Sequence, residues 1–351
     1  MASRFWNPLA VTGCVDNGSG LGRITVSPAI TGSGIVTGTT ITVAGITGAT
    51  GCNVTTTATV IDASTIDLDG TTFGGTYISG GSVAGGIWTA TNTSNWAASS
   101  TATEGSGGQT VPGSSDTVTF DTNSDGGTVV VNTTVTVQSL TTSTFTGTLD
   151  FATNDNNVTL SVATAWTDAG TSAHTINMGD GTWTLSGTSG TTINFSGSNM
   201  TLNANGSTVS LTGADGQLRI NGKTLATLSL GAGRWHIAAG NATVGTLAMA
   251  AGAELILAQA QTLTVTNAPA LVGTRAAPIL LATDISSAPS GSIALGSGTM
   301  TLDWGIISTM RVTGGSGATA TNTVSYGTLP TGWTINSGPS AGGSGAKIIG
   351  G

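Results

Sequence analysis

The sequence predicts an all-β protein: a right-handed parallel β-solenoid body interrupted near its start by a small β-barrel. Three observations carry that expectation. Between about Thr128 and Thr266, short runs of Val, Ile, Leu and Thr place apolar side chains on every second residue, the period of a pleated strand. The breaks between runs are Gly, Asn, Asp and Ser, which accept left-handed backbone or hydrogen-bond their own main chain in tight turns. Strand openings recur at roughly 8 to 20 residues without a strict sequence repeat, and a parallel coil needs about 20 residues or more per turn. Alternation does not separate parallel from antiparallel pairing, so a β-sandwich or jelly-roll body is the alternative.

Composition supports an ordered chain. Glycine supplies 55 of 351 residues and charged residues only 7 %, yet the hydrophobic fraction is 38 % and the mean hydropathy +0.24. Disordered chains combine low hydrophobicity with high net charge, the opposite balance. The formal charge of −8 comes from 16 acidic against 8 basic residues, and the two lysines, Lys223 and Lys347, lie far apart. With no Lys/Arg cluster to neutralise phosphates, nucleic acid is excluded as a partner. A Thr/Ser/Gly surface with few charges gains little colloidal repulsion, which suits a protein held in an assembly. No apolar run reads as a secretory signal or reaches the 18 residues of a membrane span, so neither export by that route nor membrane insertion is expected.

Taken in order, residues 1–6 read as an aromatic strand, Met1-Ala2-Ser3-Arg4-Phe5-Trp6, that is then interrupted. Residues 7–83 form a unit of their own, with Arg23–Val26, Thr40–Gly45, Thr57–Asp62 and Thr65–Asp69 as strands joined by glycine turns. Four or more short strands in about 75 residues are the pattern of a small barrel, which removes exposed edges by closing. Cys14 and Cys52 both fall here. They are too few for a disulfide scaffold and too far apart for a zinc knuckle; two free thiols are the plainer expectation, one bridge the alternative.

From residue 84 the body resumes with Ile87-Trp88 and Asn95-Trp96, then Pro112-Gly113, Thr117–Phe120 and the strand ladder. Its members include Thr128–Val131, Gly147–Phe151, Thr182–Leu185, Thr192–Phe195, Met200–Asn203, Val209–Leu211, Leu218–Ile220 and Leu255–Leu257. Turns are expected at 154–157, 179–181, 196–199, 205–206 and 221–222. Only Val244 to Leu257, rich in alanine, offers a helical reading beside its strand-like alternation. Prolines break the rhythm after Thr266, strands resume at Met300–Trp304 and Met310–Thr313, and the body ends near 336. Residues 337–351 read as a Gly/Ser-rich flexible tail.

Two resemblances sharpen this outline. Residues 8–83, through Ile41–Asn53, Thr57–Gly70 and Gly75–Gly81, resemble the small β-barrel module of many tailed-phage structural proteins that is named after the first catalytic cysteine half-domain of ubiquitin-activating enzymes. That name records a fold, so no catalytic role passes to Cys14 or Cys52. The opening hexapeptide with Trp88–Trp96, Thr110–Asp121 and Val137–Leu140 is similar to uncharacterised β-repeat proteins of tailed phages. In those the aromatic strand runs straight into the second tryptophan stretch, so the barrel is read as an insertion and Phe5-Trp6 is expected to pack beside Ile87-Trp88.

Candidates for chemistry are sparse. His174, in a turn, and His236, in a strand, lack a nucleophile and an acid nearby in sequence, and no nucleophile elbow, P-loop, metalloprotease helix or dinucleotide fingerprint occurs. Asp121, Asn123 and Asp125, followed by Gly126, match the first half of a calcium loop, but position twelve is Asn132 where a bidentate Glu belongs. An acidic β-turn is the expected reading. Asp150, Asp155, Asp168, Asp180, Asp215 and Glu254 are scattered and would serve glycan hydrolysis only if stacking brought two together; Trp166, Trp183 and Trp235 could line a sugar platform.

No catalytic residue and no cofactor is expected. The resemblances imply a structural protein of the exterior of a tailed-phage virion, a capsid decoration or a tail fibre. Its expected partners are copies of itself, as a homo-oligomer and specifically a trimer, other virion proteins and a host cell-surface glycan. A glycan-degrading spike and a bacterial surface adhesin are the rival readings.

Overall fold

The computed structural model describes residues 2–90, 95–153, 160–188, 190–284, 291–326 and 330–336. The expected turn at 154–157, Asp155, positions 91–94 of the tryptophan stretch and the tail at 337–351 lie outside them.

The described chain is all-β, without an α-helix, and its body is a parallel β-solenoid. The chain visits three sides in a fixed order: Thr182–Leu185, Thr191–Asn194 and Met200–Asn203 are followed by Thr208–Leu211 stacked on the first. Among the described residues every body ladder is parallel, apart from one short antiparallel pairing of Ser3–Trp6 with Trp96–Ala97 at the start and the isolated antiparallel bridges Ala97–Gly108 and Ala282–Thr309. The sandwich alternative therefore fails. Coil length varies: Thr208, Thr227 and Thr246 stand in one column at intervals of 19 residues, whereas Thr182 and Thr208 are 26 apart.

The period-two pattern sends alternate side chains into the coil. Trp183, Leu185, Val209, Leu211, Leu228, Leu230, Trp235 and Ile237 are all buried, and one continuous apolar column runs the length of the body. Longer strands turn a corner without breaking. In Thr224–Leu230, Leu225 and Leu228 both point inward, three residues apart, because the chain changes sides between them. The stretch Val244 to Leu257 resolves into two strands, Ala242–Met249 and Glu254–Leu257, separated by a turn, so its alanines are strand residues.

Aromatic rings plug the first coils. Trp166 stacks on Trp183 at 4.6 Å, Phe151 meets Trp183 at 4.4 Å and Phe195 meets Trp166 edge-on at 4.5 Å. At the start of the body, Trp6 and Trp88 both pack on Trp96, at 5.2 and 5.0 Å, and on Phe120. Trp6 thus shares a cluster with Trp88. The strand neighbours of Phe5-Trp6 are different ones, Thr117–Thr119 on one edge and Trp96–Ala97 on the other.

Residues 9–84 hold a closed barrel of six strands: Leu9–Asp16, Gly22–Ser27, Thr65–Leu68, Thr55–Val60, Thr40–Ala44 and Ser82–Ala84, which returns to the first. All pairings are antiparallel, and a core of Leu9, Ile24, Ile41, Ala58, Ile66, Leu68 and Val83 fills it. Arg23 and Asp67 face each other across two strands with guanidinium–carboxylate contacts of 2.5 and 2.8 Å, a planar two-pronged match.

Where the barrel leaves and rejoins the body, Asn7 N–H donates to the Asn95 carbonyl and the Asn95 amide donates back to Asn7. Gly127 has φ +100°, and a Cβ there would lie 2.3 Å from the Ala84 carbonyl, so this close approach of body to barrel requires glycine.

Cys14 and Cys52 are joined as a disulfide, against the expectation of free thiols. Closure of the barrel is the reason: strand Leu9–Asp16 and the turn Thr50–Cys52, remote in sequence, meet in one apolar core where both sulfurs are buried.

Candidate functional site

Among the described residues, most ionisable side chains singled out in the sequence hold a structural neighbour. Asp121 caps the turn Thr122–Ser124: its Oδ1 accepts from the Asn123 N–H at 3.0 Å, and the Ser124 hydroxyl accepts from the Asp121 N–H. Asn123 turns away and donates to Ser100. Asp125, with left-handed backbone at φ 54°, accepts from the Ser82 hydroxyl of the barrel. Asn132 hydrogen-bonds Thr89. Asp121, Asn123 and Asp125 therefore hold three different neighbours, and among the described residues no group of three His, Cys, Asp or Glu side chains converges for a metal.

Among the described residues, the carboxylates of the hydrolase reading have separate partners, and Asp155 lies outside them. Asp150 is buried and accepts from the Ala152 and Thr153 N–H groups, and Asp180 accepts from Gly206 N–H. Asp215 and Glu254 flank Arg234 in register on one outward column, a ladder of alternating charge. Trp166, Trp183 and Trp235 are inside the coil and form no sugar platform.

Asp168 does find a partner. It is fully buried, its Oδ2 lies 2.5 Å from His174 Nε2, and it accepts from the Thr142 hydroxyl at 2.8 Å. His174 is not in a turn; it opens the strand His174–Asn177 and points inward against Phe145. Its Nδ1 lies 2.9 Å from the Ser172 carbonyl, an acceptor, so Nδ1 carries a proton. Burial, the largest influence on His174, opposes the charged ring, but the Asp168 hydrogen bond, the Ser172 carbonyl and the Asp168 charge together raise its pKa above the ordinary histidine value. Both ring nitrogens are engaged, so the pair is a buried tie, unable to take a proton from a substrate. His236 lies 2.8 Å from Asp284 on the outside of the body.

Among the described residues several concave features are lined by both modules, and one of them is a groove of about 650 Å³. Thr40, Thr42 and Thr55 form its barrel wall, Asp125, Gly126 and Gly127 its floor, and Thr128, Thr148, Thr175 and Thr201 its body wall. The four body threonines are successive partners in three parallel pairings and so form one column along the solenoid. Burial, the dominant cause, raises the Asp125 pKa; the nearby Glu104 charge adds to it and the Ser82 hydrogen bond opposes it. Sequence reading passed over this site because a threonine at a strand opening is ordinary. The signal was the same residue type at the same place in four successive strands.

Compared with protein families, with curated proteins and with solved structures, the chain finds no match.

Proposed function

We propose that the chain is a structural component of the exterior of a tailed-phage particle, a stiff β-solenoid that assembles with copies of itself and with other particle proteins. The particle assignment rests on the resemblances of residues 8–83 and of the tryptophan-rich openings. The observation that carries self-assembly is one outward column of the body. Asp215, Arg234 and Glu254 are followed in register by Leu280, Ile306 and Val324, with Tyr326 beside them. Val324 and Tyr326 are half exposed, on a sheet whose other side is already the core. Parallel sheets are normally covered on both sides, and a contiguous apolar patch marks a contact surface.

A second copy of the chain is the fitting occupant. A symmetric contact between copies lays the apolar column on its own counterparts and leaves the alternating charges of Asp215, Arg234 and Glu254 in water. Sedimentation of the full chain tests this: the wild type should run as an oligomer, and V324D/Y326S as a folded monomer. A wild type that stays monomeric at high concentration overturns the assembly reading. Immunogold labelling of purified particles tests the location, and absence of label on head and tail alike would overturn it.

A further inference from the structure

We propose that the groove between barrel and solenoid binds a neutral, extended oligosaccharide, with successive sugar units lying along the threonine column. This deepens the expectation of a cell-surface glycan partner, on which it rests, by giving that partner a site and a class, and it can be tested on the purified chain whether or not the chain sits on a particle.

Four properties of the groove select that ligand class. Its volume of about 650 Å³ is that of a binding cleft, large enough for a short oligomer. Thr128, Thr148, Thr175 and Thr201 repeat at the parallel-strand spacing of ~4.8 Å, so the wall is periodic along one axis and matches a polymer of small units better than a single compact ligand. A threonine side chain presents a hydroxyl that both donates and accepts, and beside it a methyl group. A pyranose presents the same pair, hydroxyls at its rim and C–H groups on its face, and Thr42 offers such a side chain from the opposite wall.

Charge excludes the competitors. No Lys or Arg lines the groove, its one histidine, His174, is buried against Asp168, and its one carboxyl, Asp125, is already engaged by Ser82, so a phosphate or an acidic sugar meets no free counter-charge. A peptide strand would need free backbone partners. The column belongs to a sheet whose strands Thr128–Val130, Thr148–Asp150 and His174–Asn177 are paired on both edges, so along these three the groove presents side chains, and only the terminal strand Met200–Asn203 is paired on one side alone.

The test is binding of the full chain to cellohexaose, maltohexaose, chitohexaose and mannohexaose by titration calorimetry, with hexagalacturonate as the anionic probe. At least one neutral hexamer should bind, and T148V and T175V, each removing one hydroxyl, should weaken it about tenfold while leaving thermal unfolding unchanged. T42V, on the barrel wall, gives the same readout should a body variant misfold. Three outcomes overturn the proposal: no neutral hexamer binds, hexagalacturonate binds better, or the threonine variants bind as the wild type does.

Discussion

The Asp168–His174 pair is the most exposed of these inferences to experiment. Asp168→Ala removes the anion 2.5 Å from His174 Nε2 and the acceptor of the Thr142 hydroxyl, in a site where both charged side chains are buried. Deleting one partner of a buried pair costs about 3–5 kcal/mol. Asp168→Asn keeps the shape and one acceptor and should cost about 1–3 kcal/mol. The sign of the pH dependence follows from the raised His174 pKa. A raised histidine contributes stability that is fully present below its ordinary value of 6.5 and is lost as pH rises through the higher value in the fold. Lys223 opposes the charged ring without reversing that direction. The wild type should therefore lose local stability on the alkaline side of pH 6.5, and D168N should be flat there.

A solenoid unfolds coil by coil, so a single global midpoint would dilute the effect. Amide hydrogen exchange of the peptide spanning residues 160–177, measured from pH 5.5 to 9 after correction for intrinsic exchange, isolates it. Equal pH slopes in wild type and D168N would show that the pair carries no charge and refute the reasoning.

Two further outcomes are expected. Trp183 sits between Trp166 and Phe151, so W183A should cost about 3–5 kcal/mol and lower protection in the coils on either side while the barrel keeps its own, as read by the same exchange measurement. Cys14 and Cys52 should resist iodoacetamide in the denatured but unreduced chain and take up two labels after reduction; C14S/C52S should lower barrel stability by about 3–4 kcal/mol, and labelling without reduction would contradict the bridge.

The sequence by itself determined what is local. Period-two alternation identified the strands and their inward residues, because successive side chains of any pleated strand point to opposite faces: Trp183 and Leu185, Val209 and Leu211, Leu255 and Leu257 all face the core. Local pattern also misleads: Trp166, Trp183 and Trp235 read as candidates for a surface platform although the same alternation turns them inward, and His174 reads as part of the turn that it follows.

Only the tertiary structure decided what depends on register. Thr128, Thr148, Thr175 and Thr201 become one column, and Leu280, Ile306 and Val324 another, although the steps between them range from 18 to 27 residues. Coil length is set by turns of variable size, and no local period encodes which residue of one coil lands beside which of the next. Cys14 meets Cys52 because a barrel closes, and Asp125 meets Ser82 because that barrel packs against the body. Asp168 and His174 are only six residues apart, yet their meeting needs a turn that sends both side chains inward, a property of the whole coil and not of the segment between them.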